Sequence, residues 1–207
     1  MRKMLALLLV LAVSMALFAA DSATGSFQIS ARKPTKSTGT GTYTAVIYNT
    51  YKSEGLTYLS PGTQILVDLD GMMIGGPSGP TENLFDVKVT GDYIPANMEL
   101  TLYLRPFINI DDSSADPVPV YFLFDWKYTA SGVNDNDIEG KGTDSASVSS
   151  AVGAAKTISI PVGESPAVGQ FDFILSVKIN RLESKIDPIS GDTYVMTLDA
   201  VLTIDGE

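Results

Sequence analysis

The sequence predicts an all-β protein, and three observations lead to this fold class. Apolar and polar side chains alternate with a period of two along several segments, as in a strand with one buried face. Clusters of glycine, proline, serine and aspartate separate these segments and are typical of turns. After residue 20 no segment keeps a helical period. The best helix candidate is the alanine-rich stretch at residues 145–156, and its many serines disfavour a helix.

The three clearest strands are predicted at Val118–Tyr128, Phe171–Ile179 and Tyr194–Ile204. In the first of them valine, phenylalanine and Trp126 occupy one face, and the other face carries Pro119, Tyr121, Leu123, Asp125 and Lys127. We expect Trp126 to lie in the core because it shares its face with two phenylalanines. The turn formers at Asp187–Asp192 predict an antiparallel hairpin between the second and third of these strands.

Shorter segments of the same character bring the number of predicted strands to about nine. They are Phe27–Ala31, Tyr43–Asn49, Thr63–Leu69, Phe85–Thr90, Leu100–Arg105 and Thr157–Val162. Without helices, strands bury their apolar faces by packing two sheets against each other. We therefore predict a two-sheet antiparallel β-sandwich, immunoglobulin-like or jelly-roll-like. The remaining residues predict long loops, at 49–61, 71–83, 111–117 and 131–156.

Three regions are predicted along the chain. Residues 1–20 are expected to be a signal peptide, because Arg2 and Lys3 precede an apolar run that ends in small residues. Residues 21–42, poor in apolar groups, are expected to be a flexible N-terminal arm or an edge strand. Residues 43–207 are expected to form a single β-sandwich domain. The protein is therefore predicted to be secreted, periplasmic or on the cell surface.

The composition argues against several classes of function. The chain contains no cysteine and no histidine, which argues against disulfides, thiolate or histidine catalysis and common transition-metal sites. Without a cysteine at the end of the leader, a lipoprotein anchor is not expected. The net charge of −10 disfavours nucleic-acid partners. No second long apolar stretch follows the leader, so membrane insertion after its removal is not expected.

Asp135, Asp137 and Glu139 are the candidate metal ligands. With Gly140 they match the first half of an EF-hand calcium loop, but Ala146 stands where that loop requires a bidentate glutamate. Loops between strands can also supply the six to eight oxygen ligands that calcium prefers. Calcium is thus the one candidate cofactor, although a solvated acidic loop is the more ordinary interpretation.

A second acidic loop and a group of tyrosines are further candidates. Asp111, Asp112 and Asp116 have the same two interpretations as the first acidic loop. Tyr51 and Tyr58 fall in a predicted loop, where exposed rings could stack on the sugar units of a glycan. Aromatic residues are more often part of a core, so the glycan site is the less ordinary interpretation.

These observations favour an exported, non-catalytic structural or assembly protein, such as a filament, pilus-like or cell-surface subunit. Its expected partner is a second copy or another protein, bound through sheet edges or the N-terminal arm. The alternative is an extracellular binding module for a glycan, calcium or a protein partner, carried on the long loops. A carboxylate-type glycoside hydrolase comes third, because the spacing of Glu99, Asp125 and Glu183 selects no catalytic pair. We therefore predict that the protein is not an enzyme.

Overall fold

The structure is a computed structural model with side chains. It describes residues 24–36, 42–52, 57–59, 64–133, 136–163, 167–182 and 187–205. Within these ranges the chain forms twelve strands and no helix. No helix among them is long and apolar enough to cross a membrane.

The strands, numbered in chain order, are β1 Thr24–Lys36, β2 Tyr43–Asn49, β3 Thr57–Leu59, β4 Gln64–Asp68, β5 Glu82–Ile94, β6 Asn97–Leu104, β7 Ile108–Asn109, β8 Val120–Val133, β9 Asn136–Val148, β10 Ala154–Pro161, β11 Ala167–Arg181 and β12 Thr193–Asp205. The first sheet has the order β10-β6-β12-β1-β4, and β7 also pairs with β12. The second sheet has the order β3-β2-β5-β11-β8-β9. All neighbouring strands are antiparallel except β1 and β12, which are parallel.

One hydrophobic core fills the space between the two sheets. Alternate residues of β11 from Phe171 to Ile179 face inward and are at most 1% exposed. From the first sheet, Met98, Leu100 and Leu102 of β6 join the same cluster. Each large apolar side chain buried in this way contributes roughly 1.5–3 kcal/mol to folding. The all-β, two-sheet sandwich predicted from the alternation is confirmed.

The predicted hairpin between Phe171–Ile179 and Tyr194–Ile204 is wrong. These segments lie in β11 and β12, which belong to different sheets and pair with different neighbours. The connection that includes residues 187–192 therefore passes from one sheet to the other. Alternation and turn residues show where the chain changes direction, but they are the same whether the next strand pairs or packs across the core.

The predicted loop at residues 131–156 is largely β9, with the start of β10. Residues 136–148 show no apolar alternation, because glycines occupy positions on the inner face of β9 at which strands usually carry large apolar side chains. Gly140 lies opposite Tyr128 and Gly142 lies opposite Trp126, and a Cβ at either glycine would overlap the facing ring. The rings of Trp126 and Tyr128 are stacked, with their centroids 6.3 Å apart and an interplanar angle of 4°. Aromatic side chains of β8 thus cover the glycines of an edge strand, as they do in other sheets.

A third aromatic side chain covers a glycine between β2 and β5. Tyr43 lies opposite Gly91, and its hydroxyl donates a hydrogen bond of 2.9 Å to the Tyr93 carbonyl. Burial, and then the neighbouring Asp92, raise the pKa of Tyr43 to about 12. The sandwich therefore uses the same packing device at two places in one sheet.

Replacing Gly142 with alanine should destabilise the fold, because the new methyl group would displace the Trp126 ring. Overpacking of this kind costs about 1–3 kcal/mol. Urea unfolding followed by the fluorescence of the single tryptophan measures the loss. Gly76 is the matched control, since a Cβ there meets nothing within 4 Å. Equal stability of the two alanine variants would show that the glycine at 142 is not needed.

The segment expected to be an arm or an edge strand contains β1. Residues Thr24–Gln28 pair with β12 on one side and with β4 on the other, so this half is an interior strand rather than an edge. The second half, Ile29–Lys36, pairs with β12 and has no ladder on its other side among the described residues. A parallel partner far along the chain needs no local turn, so the sequence carries no sign of this pairing.

Candidate functional site

Two of the three predicted calcium ligands lie on a strand. Asp137 and Glu139 are exposed side chains of β9, whereas Asp135 lies outside the described residues. The acidic segment is therefore partly the start of an edge strand and not only a loop. Across the described part of the chain, no group of three or more acidic side chains is placed to hold a metal ion. With Asp135 undescribed, the calcium site remains a prediction.

The second acidic loop uses its carboxylates to hold its own backbone. Asp111 Oδ2 accepts a hydrogen bond of 2.6 Å from the Thr193 N–H. Asp112 Oδ1 accepts bonds from the hydroxyl and the N–H of Ser114, and these bonds lower the pKa of Asp112. The acids therefore have structural partners, which favours the ordinary interpretation of this loop.

Asn109 joins this loop to the loop before β12. The side chain is 3% exposed, and its Oδ1 accepts hydrogen bonds of 2.9 Å from the N–H groups of Asp111 and Asp112. Its Nδ2 donates to Asp192 Oδ2 at 2.7 Å and to the Tyr194 hydroxyl at 3.3 Å. One buried amide thus connects two surface loops, and no feature of the sequence singled it out.

Tyr51 does not lie on the surface as expected for a glycan platform. Its side chain is 8% exposed, belongs to the core, and accepts a hydrogen bond of 3.1 Å from the Asp68 N–H through its hydroxyl. The residue lies two positions after β2 and bonds to the last residue of β4, a contact that a local pattern does not reveal. Tyr58 lies in β3, and its side chain is outside the described part of the chain. Trp126, expected in the core, is partly buried against it.

The structure describes two of the three carboxylates considered for glycoside hydrolysis. Asp125 projects from the outer face of β8 and forms an ion pair of 2.6 Å with Lys178 of β11. Glu99 is exposed on β6, and Glu183 lies outside the described residues. The structure thus places a lysine, rather than a second acid, beside Asp125.

The edges of the two sheets differ greatly in length. The first sheet ends in β10, which closes with Pro161, and in β4, which has only five residues. The second sheet ends in the three-residue β3 and in β9, which has thirteen residues and no proline. The ladder of β9 with β8 runs without a shift from Ile138 to Val148. Among the described strands, β9 therefore presents the longest open edge of the second sheet.

Side chains close the gap between β9 and β10 without joining the two strands in a ladder. Lys156 of β10 and Asp144 of β9 form an ion pair of 2.7 Å. The Tyr128 hydroxyl donates a hydrogen bond of 3.1 Å to the Pro161 carbonyl of β10. The two sheets are thus held together along this side, while the backbone groups on the outer edge of β9 find no ladder partner in the described structure.

Comparison with known proteins does not place the chain in a family. No family model matches it, and no curated protein matches it. Comparison with solved structures returns crystal structures of the major pilin from Streptococcus pyogenes. An alanine mutant of that pilin is 6% identical with a TM-score of 0.16, and another structure is 9% identical with a TM-score of 0.12; both alignments cover 89% of this chain and 99% of the pilin. TM-scores this low do not establish a shared fold, so the assignment of an all-β sandwich depends on the strand pairing described above.

Proposed function

We propose that this protein is a structural subunit that self-associates through the open edges of its sheets, as part of an exported filament or surface layer. The observation that carries the proposal is the long outer edge of β9. An unpaired strand edge presents N–H and C=O groups that can pair with another strand. Edge strands are commonly protected by short length, proline, bulges or charged side chains, and residues 138–148 lack the first three of these, although Glu139, Lys141 and Asp144 carry charge.

A filament needs two contact surfaces on each subunit, because a single two-fold contact closes into a dimer. The side of Ile29–Lys36 in β1 that has no ladder among the described residues is a second edge, in the other sheet, although Pro34 and a register shift between Arg32 and Thr35 make it less open than β9. It supports an assembly in which each copy meets one neighbour through β9 and another through β1. Export through the predicted leader and the absence of catalysis are parts of this proposal that follow from the sequence.

Cysteine scanning of β9 tests the proposal, because the native chain has no cysteine and each introduced thiol is unambiguous. Single cysteines are placed along the outer face at Asp137, Glu139, Thr143, Ser145 and Ser147. If two copies pair through β9, oxidation should give covalent dimers with a sharp maximum at the position closest to the symmetry axis. Analytical ultracentrifugation and electron microscopy of residues 21–207 report the size of the assemblies.

The control is a cysteine at Thr101, on the interior strand β6 of the other sheet. It should form dimers only at the background rate of random collision. A protein that stays monomeric at high concentration and cross-links no better from β9 than from Thr101 would contradict the proposal.

A further inference from the structure

Three lysines lie in one row across the outer face of the second sheet. The register places Lys88 of β5 opposite Ile174 of β11, Ile174 opposite Lys127 of β8, and Lys127 opposite Lys141 of β9. Residues directly opposite in a sheet point to the same face, so the four side chains follow one line perpendicular to the strands. With strands about 4.8 Å apart, the row is about 14 Å long. Lys88, Lys127 and Lys141 are called the lysine row below.

Among the lysines whose side chains the structure describes, those of the lysine row differ in having no carboxylate within 4.0 Å. Lys52, Lys156 and Lys178 each lie within 4.0 Å of an aspartate. No acidic side chain among the described residues lies within that distance of a lysine in the row. Asp125, the nearest acid along β8, is occupied by Lys178 at 2.6 Å.

The arrangement is unfavourable for the protein alone. Lys127 and Lys141 are directly opposite each other on neighbouring strands, and like charges in this position destabilise a sheet. This repulsion between the two lysines is present although the protein has a net charge of −10 and therefore many acidic side chains that could pair with them. An anion lying along the row would remove the repulsion and gain from three ammonium groups at once.

A groove accompanies the row. It has a volume of about 620 Å³, and its lining includes Lys127, Lys141, Ile174, Thr143 and Ser176, together with Asp125. Two ammonium groups, an apolar side chain, two hydroxyl groups and the Asp125 carboxylate, which is paired with Lys178, therefore face the same space. This combination can hold a ligand that carries negative charge, hydroxyl groups and C–H surface together.

We propose that the lysine row and its groove bind an acidic polysaccharide, a thin chain that carries carboxylate groups. The flanking rows favour a thin ligand, because Asp86 and Asp125 lie on one side of the lysines and Glu139 and Asp172 on the other. These acids repel a broad lattice of negative charge, such as the phosphates of duplex DNA.

An acidic peptide fits this surface less well than a sugar chain. On the face of a sheet the backbone N–H and C=O groups are already engaged in the ladders, so a peptide backbone would find few partners there. Sugar hydroxyls, in contrast, can exchange hydrogen bonds with the hydroxyls of Thr143 and Ser176. The inference does not depend on self-association, since every residue in it belongs to one copy.

Binding of polygalacturonate to the full mature chain tests the inference by isothermal titration at low ionic strength. Lys127→Gln and Lys88→Gln should each weaken binding about fivefold, which is the effect of one screened charge contact of about 1 kcal/mol. Lys127→Arg should keep most of the affinity, and rising salt should weaken binding by the native protein. Lys52→Gln is the matched control, because this lysine is paired with Asp68 and lies outside the row.

Three results would overturn the inference. The first is no binding of polygalacturonate by the native protein at low salt. The second is equal affinity of the Lys127→Gln, Lys88→Gln and Lys52→Gln variants, each checked by circular dichroism to be folded. The third is tighter binding of single-stranded DNA than of polygalacturonate. Sedimentation of the same variants separates the two proposals, since a loss of self-association with unchanged polysaccharide binding would assign the row to contacts between copies.

Discussion

Replacing Asn109 with alanine should lower the free energy of unfolding by about 2–4 kcal/mol, although the residue lies at the end of a two-residue strand. The buried amide accepts two backbone hydrogen bonds and donates to Asp192 and Tyr194. Alanine leaves those groups without their partner, and a buried polar group without a hydrogen bond costs about 1–3 kcal/mol. Urea unfolding followed by tryptophan fluorescence measures the difference.

The aspartate variant distinguishes a hydrogen-bonding role from a simple loss of volume. Asn109→Asp keeps the acceptor that faces Asp111 and Asp112, but it places an oxygen where Nδ2 now donates to Asp192 at 2.7 Å. We expect this variant to be unstable at neutral pH and to regain stability in acid, where protonation restores a donor between the two carboxyl groups.

The control for both variants is Asn83→Ala, at an exposed position of β5. Its effect should stay within about 0.5 kcal/mol. If Asn109→Ala behaves like Asn83→Ala, the two loops are held together by other contacts and the amide is dispensable.

The strands were predictable where alternation is regular and the apolar side chains are large. The segment Tyr43–Asn49 was predicted with the same bounds that β2 has, and Phe171–Ile179 lies within β11. In contrast, β9 was not predicted. Its inner face carries glycines, and the rings that cover them, Trp126 and Tyr128, belong to the neighbouring strand β8. A local pattern records the side chains of a strand and not those of the strand beside it.

The candidate surfaces depend on pairing that the sequence does not contain. Lys88, Lys127 and Lys141 occupy outward positions of three strands, but only the register through Ile174 brings them into one row. The prediction that Tyr51 is exposed was wrong for a related reason, because its burial involves a contact with Asp68, 17 residues further along the chain. Lys88 and Lys127 lay on predicted strands, whereas Lys141 fell in the predicted loop at residues 131–156, and without the strand order the three lysines could not be assembled into a site.

Deleting residues 24–36 should abolish cooperative unfolding of the whole domain, and not only self-association. The deletion removes eleven register partners from β12 and five from β4, whose ladder is formed with β1. The core beneath the first sheet would then be covered by fewer strands, and a sheet edge would open along β12. Thermal unfolding followed by circular dichroism should show a broad transition at lower temperature, and a chain that keeps its native midpoint would contradict the pairing of β1.

A peptide with the sequence of residues 24–36, added in trans, should restore the sharp transition. Because the peptide binds the folded domain and not the unfolded chain, the midpoint should rise with peptide concentration. A peptide with proline in place of Ile29 and Ala31 lacks two N–H donors and should restore much less. Rescue would show that the place beside β12 accepts a strand from another molecule, so that β1 of one copy could fill it in the next. Failure of both peptides would exclude exchange of β1 between copies, and a filament would then require the other side of Ile29–Lys36 as its second contact, because a single two-fold contact through β9 closes into a dimer.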